Sequence, residues 1–468
     1  MNDQLLKRLN VITNGHARAS QADLLAYSYD GTPGFQAMPD AVVSPGSAEE
    51  VSEIVKFCRS EGIPIVPRGS GTNLSAGTTP TAGGVVLLFN RMNEILEIDE
   101  ENLTVTVQPG VVTKDLIDAV EMRGLFYPPD PSSMKISTLG GNISENSGGL
   151  RGLKYGVTKD YVLGLEAVMP DGSIIKTGGK LAKDVAGYDL TKLLTGAEGT
   201  LGVITEATLK LIPMPLLKKT MLVQFGAMDQ AAEAVSAIIA NRVIPATLEF
   251  MDRATIRAVE DFTKVGLPLE AEAVLLIEQD GGEAAVNDEM QLMKEICEKQ
   301  GAFSVELAKT AEEANNLMTA RRSALSALAR LKPTTILEDA TVPRSKVAEM
   351  VEAITEIAEK HQVTICTFGH AGDGNLHPTC ITDARDTEEM HRVEAAFEEI
   401  FKEAIRLGGT ITGEHGVGEM KAPYLEWKLG PSGINVMKLI KQSLDPDNIM
   451  NPNKIFGKSE KKRVVVDR

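Results

Sequence analysis

Between Asp130 and Gly149 the chain reads Asp130-Pro131-Ser132-Ser133 and then Ser137-Thr138-Leu139-Gly140-Gly141-Asn142-Ile143-Ser144-Glu145-Asn146-Ser147-Gly148-Gly149. Small residues and side-chain amides alternate with glycines throughout. Such a run can line a long flat ligand with hydrogen bonds while keeping side-chain bulk away. Two shorter runs flank it. Pro67-Arg68-Gly69-Ser70-Gly71-Thr72-Asn73 follows the apolar stretch Ile63-Pro64-Ile65-Val66. Its backbone N–H groups can form a nest for a pyrophosphate, with the Ser70 and Thr72 hydroxyls as further donors. It is not a Rossmann fingerprint, because Leu74 stands where the third glycine belongs and no helix is expected after it. It is not a P-loop either, since no Gly-Lys-Ser/Thr follows. The third run, Gly196-Ala197-Glu198-Gly199-Thr200-Leu201-Gly202, leads straight into an apolar strand. The run Pro67–Asn73 taken alone reads equally well as a plain turn; three in one domain point to a bound ligand.

Two further glycine-rich motifs lie near the C-terminus. Gly369-His370-Ala371-Gly372-Asp373-Gly374-Asn375-Leu376-His377 reads as one loop, and Gly413-Glu414-His415-Gly416-Val417-Gly418 as another. They hold three of the six histidines in the chain. Two imidazoles and a carboxylate suit zinc, iron or manganese with positions left open for a substrate, and the remaining histidine is free to act as a base. Ordinary turns with hydrogen-bonded histidines are the plainer reading of either motif alone. The pair favours a site.

A length of 468 residues calls for two or three domains. Hydrophobic residues at 43% and charged residues at 24% are ordinary for a soluble globular protein. The formal charge of −17 argues against nucleic acid and against an anionic membrane surface. An anionic substrate would therefore need local positive charge. The start, Met1-Asn2-Asp3-Gln4-Leu5-Leu6-Lys7-Arg8, lacks an apolar signal run, and no stretch reaches transmembrane length. Cys58, Cys297, Cys366 and Cys380 show no metal or disulfide spacing. Cys366 and Cys380 flank the histidine loop and read as buried strand thiols rather than ligands. A reduced, cytoplasmic protein is the expectation.

The organisation reads as α+β. Ser47-Ala48-Glu49-Glu50 is a capping box for a helix with Val51, Ile54, Val55 and Cys58 on one face, ended by Gly62. Residues 95–98 and 103–107 pair around Asp99-Glu100-Glu101-Asn102, and 163–169 with 173–177 around Pro170-Asp171-Gly172. A helix is expected over 113–123 and a strand over 203–211, with Pro213 and Pro215 marking a boundary. Beyond it, 228–242, 281–301, 310–331, 344–361 and 386–407 carry helical periodicity, interleaved with strands such as 273–278 and 363–368. The turn-rich tail 443–454 is expected to pack back on an earlier surface.

The three loops in this order, the two histidine motifs and the tail Asn451-Pro452-Asn453-Lys454 resemble the FAD-linked D-2-hydroxy acid dehydrogenases. These belong to the vanillyl-alcohol-oxidase-type (PCMH-type) flavoproteins, and the likeness, from about residue 35 to 457, is greatest to the FAD subunits of glycolate oxidases. It implies an N-terminal helical segment (1–34), a two-subdomain FAD-binding domain (35–215), a cap with an antiparallel sheet (216–430), and a C-terminal segment (431–468) returning to the FAD domain. By the resemblance, Arg68, Gly69, Ser70, Gly71, Thr72 and Asn73 hold the FAD pyrophosphate. Ser132, Thr138, Gly141, Asn142, Ser144 and Gly148 line the ribityl and isoalloxazine, Gly199 and Val203 meet the adenosine half, and Asn453 joins them from the tail. Some relatives attach FAD through a histidine in the first loop. Residues 68–75 contain none, so non-covalent FAD is implied.

His370, His377 and Glu414 match the family's metal ligands, with zinc or manganese expected, His415 its base, and Arg321 an arginine that grips the substrate carboxylate. Relatives acting on 2-hydroxyglutarate carry a threonine four residues after that arginine. Leu325 stands here, which favours a short substrate such as glycolate or D-lactate. The electron acceptor is left open among an iron–sulfur partner, a quinone, an electron-transfer flavoprotein and oxygen, and a homodimer is compatible with these features. Two other classes explain part of the chain: a metal-dependent hydrolase, which leaves the first 215 residues idle, and a non-catalytic flavin electron relay, which leaves the histidines idle.

Overall fold

The computed structural model describes residues 3–457. They form two compact units, the first built from residues 3–147, 157–214 and 414–457, the second from 148–156 and 215–413. Among the described residues no helix is long and apolar enough to cross a membrane.

The first unit holds two principal sheets. One has four strands in the order 17–18, 41–43, 85–88, 65–68, the last three mutually parallel. The helix Ala48–Glu61 supplies the crossover. Ser47 accepts from the Glu50 N–H, while the Glu50 carboxylate takes the Gly46 N–H, one residue earlier than the expected capping box. Gly62 ends it in the left-handed region at φ 65°. Val51, Ile54, Val55 and Cys58 are fully buried against Ile65, Val85 and Leu87.

The other sheet is antiparallel, in the order 95–99, 104–107, 203–210, 162–168, 174–178. Both expected hairpins are there, because polar turns interrupt alternating apolar residues. The richest glycine run does not stay a loop: Leu139–Glu145 is a short helix, capped by the Thr138 hydroxyl. The tail also belongs to this unit. Ile65 donates to the Ile449 carbonyl at 2.7 Å and accepts from the Asn451 N–H at 2.8 Å, so residues 449–451 lie along the strand Ile65–Arg68.

The second unit is organised on one eight-stranded antiparallel sheet, in the order 302–307, 217–225, 273–281, 247–252, 365–370, 375–382, 334–337, with 340–341 also on 375–382. Helices 228–240, 283–299, 347–361 and 387–406 pack their apolar faces on it through Val235, Met293, Ile354 and Phe397. The periodicity over 310–331 predicts one helix, but the structure has two, 311–322 and 324–328. They break at Ser323, whose hydroxyl bonds back to the Ala320 carbonyl.

Candidate active site

In the second unit, His370 and His377 are strand residues rather than loop residues. His370 ends the strand Ile365–His370, which also contains Gly369, His377 lies in Asn375–Thr382, and Gly372 and Gly374 occupy the turn between. Gly374 is required there: φ is +87°, and a Cβ would stand 2.0 Å from the Val342 carbonyl oxygen. The pairing brings the two imidazoles together, with ring centroids 5.1 Å apart and planes at 89°. Phe368 packs beside His377 at 5.5 Å.

Glu249 completes this cluster. It lies on the fully buried strand Thr247–Asp252 and is 1% exposed. One carboxylate oxygen is 2.7 Å from His370 Nδ1, the other 2.6 Å from the Arg321 guanidinium. Burial works to raise the Glu249 pKa, but Arg321 and then His370 outweigh it, and the carboxyl is held below its ordinary value. Arg321, in the last turn of the helix Ala311–Arg322, is 2% exposed and stacks over Phe368 at 4.8 Å. Leu325 follows in the next short helix, half-buried.

Asp339 organises the other edge. Its carboxylate is fully buried and accepts from the Thr412 hydroxyl and the Gly413 N–H, each at 2.8 Å, and from the Asn375 side-chain amide. By its peptide bond to Gly413, Glu414 stays with this anchored loop. His370 and His377 each offer a ligand atom in the second unit, and Glu414, next in the chain after Gly413, offers a carboxylate. The donor set, two imidazoles and one carboxylate, fits a divalent cation.

In the first unit, His415 leads a tightly held turn. Ser75 Oγ donates to the His415 carbonyl and to that of Gly416, and Glu198 accepts the Val417 and Gly418 N–H groups at 2.7 and 2.6 Å. His415 Nε2 is 3.8 Å from the Glu414 carboxylate. Burial, and then Glu198, raise the pKa of Glu145, whose carboxylate lies against Gly416.

The loops expected to hold the flavin meet one another in this unit. Gly69 leaves room for Thr138: a Cβ on it would be 2.2 Å from the threonine hydroxyl. Ser70 donates to the Ile136 carbonyl. The side chains of Arg68 and Asn73 serve the loop itself. Arg68 bonds to Thr78, lies over the Tyr27 ring and leaves no space for a Cβ on Gly71, while Asn73 bonds to Asp30 and Thr78. Asp30 is nearly buried and takes its donors from Asn73, Thr78 and Thr79 on one oxygen and from the Thr32 N–H on the other. With its longer side chains so engaged, the first loop offers mainly main-chain N–H groups and the Thr72 hydroxyl, the chemistry of a pyrophosphate cradle.

Gly141 donates to the Thr138 cap and Asn142 to Thr113, while the Ser144 carbonyl accepts from Glu198 N–H. Ser132 is exposed, and Gly148 is buried and assigned to the second unit. Gly199, at φ +68°, packs on Pro67, Val203 opens the strand 203–210, and Asn453 reaches Thr81. Asp30, Ser75, Glu249 and Asp339 were outside the sequence expectations. Only a charge between apolar neighbours, as at Glu249 between Leu248 and Phe250, could have signalled one of them. All four cysteines are free and buried, and burial pushes the Cys58, Cys297 and Cys380 thiols up to about 12, as suits packing residues.

Two family models match the chain, and the second runs past residue 413 into the segment 414–455, which the structure places in the first unit. Residues 39–178 match the model of an FAD binding domain, and 214–455 that of the C-terminal domain of FAD linked oxidases. The chain belongs to the FAD-linked D-2-hydroxy acid dehydrogenase family, and it is an FAD-linked oxidoreductase. It is 66% identical to the glycolate oxidase subunit GlcD of Bacillus subtilis (strain 168), over 96% of both chains. To a D-lactate dehydrogenase of Anaerostipes hadrus it is 37% identical, over 90% of each. Among solved structures, p-cresol methylhydroxylase with substrate bound superposes with a TM-score of 0.81 at 18% identity, covering 97% of this chain and 96% of that one, which shows the shared PCMH-type fold. The FAD-binding domain gives the first half a purpose that a hydrolase would lack.

Proposed function

We propose that this chain oxidises a short D-2-hydroxy acid, glycolate or D-lactate, to the 2-oxo acid and passes the electrons to an external acceptor. The observation that carries the reading is the buried His370–His377 pair with Arg321 beside it, in a chain that also has an FAD-binding domain. Non-covalent FAD, when bound, supplies the hydride acceptor, and zinc or manganese, when bound, supplies a Lewis acid for the hydroxyl and carboxylate.

The chain's own residues do the rest. His370, His377 and Glu414 hold the cation. Arg321 binds the substrate carboxylate, a task its planar fork suits. His415 takes the hydroxyl proton through its neutral imidazole. Its carbonyl is held by Ser75, and Glu198 holds the N–H groups of Val417 and Gly418 two and three residues on, so the ring is delivered from a fixed turn. Leu325 gives the substrate no second cationic or polar partner, in keeping with a small acid. The Bacillus subtilis relative is named as a subunit, which supports an electron-accepting partner protein, iron–sulfur or otherwise.

His415→Ala should slow flavin reduction by on the order of 10²–10⁴-fold and keep its metal. His377→Ala should lose metal and rate together. Stopped-flow flavin reduction with D-lactate or glycolate, beside metal analysis, tests both. Metal loss in His415→Ala would overturn its assignment as base.

A further inference from the structure

We propose that Glu249 is the positioning residue of this site, fixing which imidazole nitrogen of His370 faces the cation and tying Arg321 to the same carboxylate. The inference rests on the metal reading above and deepens it. The geometry is set by the sheet: Phe250 pairs with Gly369 and Met251 with Phe368, and the same register continued one step puts Glu249 opposite His370. A carboxylate this deeply buried is expensive unless paired, and Glu249 spends both oxygens, one on His370 Nδ1 at 2.7 Å and one on Arg321 at 2.6 Å.

An ionised carboxylate only accepts. In the neutral ring the His370 nitrogen that faces it must therefore carry the proton, which leaves Nε2 unprotonated and able to bind a metal. The ion pair also ties the imidazole to the guanidinium, so neither ring plane turns without disturbing the other. Glutamine cannot do this. If its oxygen accepts from His370, its NH₂ group faces the Arg321 donors. Aspartate, one methylene shorter, reaches only one of the two partners.

The test uses the full-length, flavin-loaded protein, stripped of metal and titrated calorimetrically with Mn²⁺. Glu249→Gln and Glu249→Asp should bind Mn²⁺ on the order of 10–100-fold more weakly than wild type, with flavin content unchanged. Wild-type affinity in both variants would overturn the inference. Wild-type protein that takes up no Mn²⁺, or His377→Ala that binds as tightly as wild type, would instead bring down the underlying metal assignment and this inference with it. A second measurement needs no folded variant at this position. In ¹⁵N-histidine spectra of the metal-free wild type, the signal lost in His370→Gln should show Nδ1 protonated and Nε2 bare. The opposite tautomer would refute the role of Glu249 whatever the variants do.

Discussion

At Gly418 a Cβ would stand 1.9 Å from the Ser75 carbonyl oxygen, and φ is +52°. Both facts forbid a side chain cheaply, so Gly418→Ala should cost on the order of 1–3 kcal/mol. Gly226→Ala, where a Cβ meets nothing within 4 Å, is the control for urea unfolding. Equal midpoints would show that the turn is slack. Glu145 makes a different demand. Burial, then Glu198 and then Asp30 raise its pKa, while Lys421 opposes them. A carboxyl whose folded pKa is raised contributes stability at acid pH and loses it as pH climbs through the folded value. Glu145→Gln removes that titration. The flavin-free variant should therefore lose less stability than wild type between the ordinary carboxyl range and neutral pH. Parallel slopes in a pH series of unfolding curves would exclude Glu145 as the group responsible.

The helix Leu139–Glu145 depends on Thr138 twice, as its cap and as the group against which Gly69 rests. Thr138→Ala should cost about 1 kcal/mol and loosen FAD, read from unfolding curves and from flavin release on dilution. FAD retained as tightly as in wild type would uncouple the cap from the cradle. Elements like this one mark where sequence reading stops. Hairpins such as 95–99 with 104–107 announce themselves by alternation and a polar turn. The strand Thr247–Asp252 does not: all six residues are buried, and a short run covered on both faces has no period to read. Glu249 was illegible for a second reason, since its partner His370 is 121 positions away and only the sheet register joins them. The histidine motifs were conspicuous by composition. That they sit on strands was not, because glycine frequency registers the turn and masks the short extended segments beside it.

At the scale of the molecule, the expected flavin loops fall in the first unit, apart from Gly148 and Gly149, while His370, His377 and Arg321 fall in the second and Glu414 in the first. Chelation should accordingly abolish turnover and leave the flavin bound, with Zn²⁺ or Mn²⁺ restoring the rate. Full activity in chelated, metal-free protein would reject the ligand assignment. The first unit is also discontinuous, and its last piece closes its first. Residues 449–451 bond to Ile65, and the Asn451 side chain reaches the carbonyls of Gly77 and Glu198 at 2.9 and 2.7 Å, one from each of two glycine-rich segments. A ribosome therefore releases the strand that leads into the first glycine-rich loop almost four hundred residues before the segment that finishes it. A nascent chain cut short before residue 449 would carry every loop residue and still lack the clasp. Flavin uptake should then report synthesis past residue 451, and yellow colour would distinguish chains that carry the clasp from chains cut short before it.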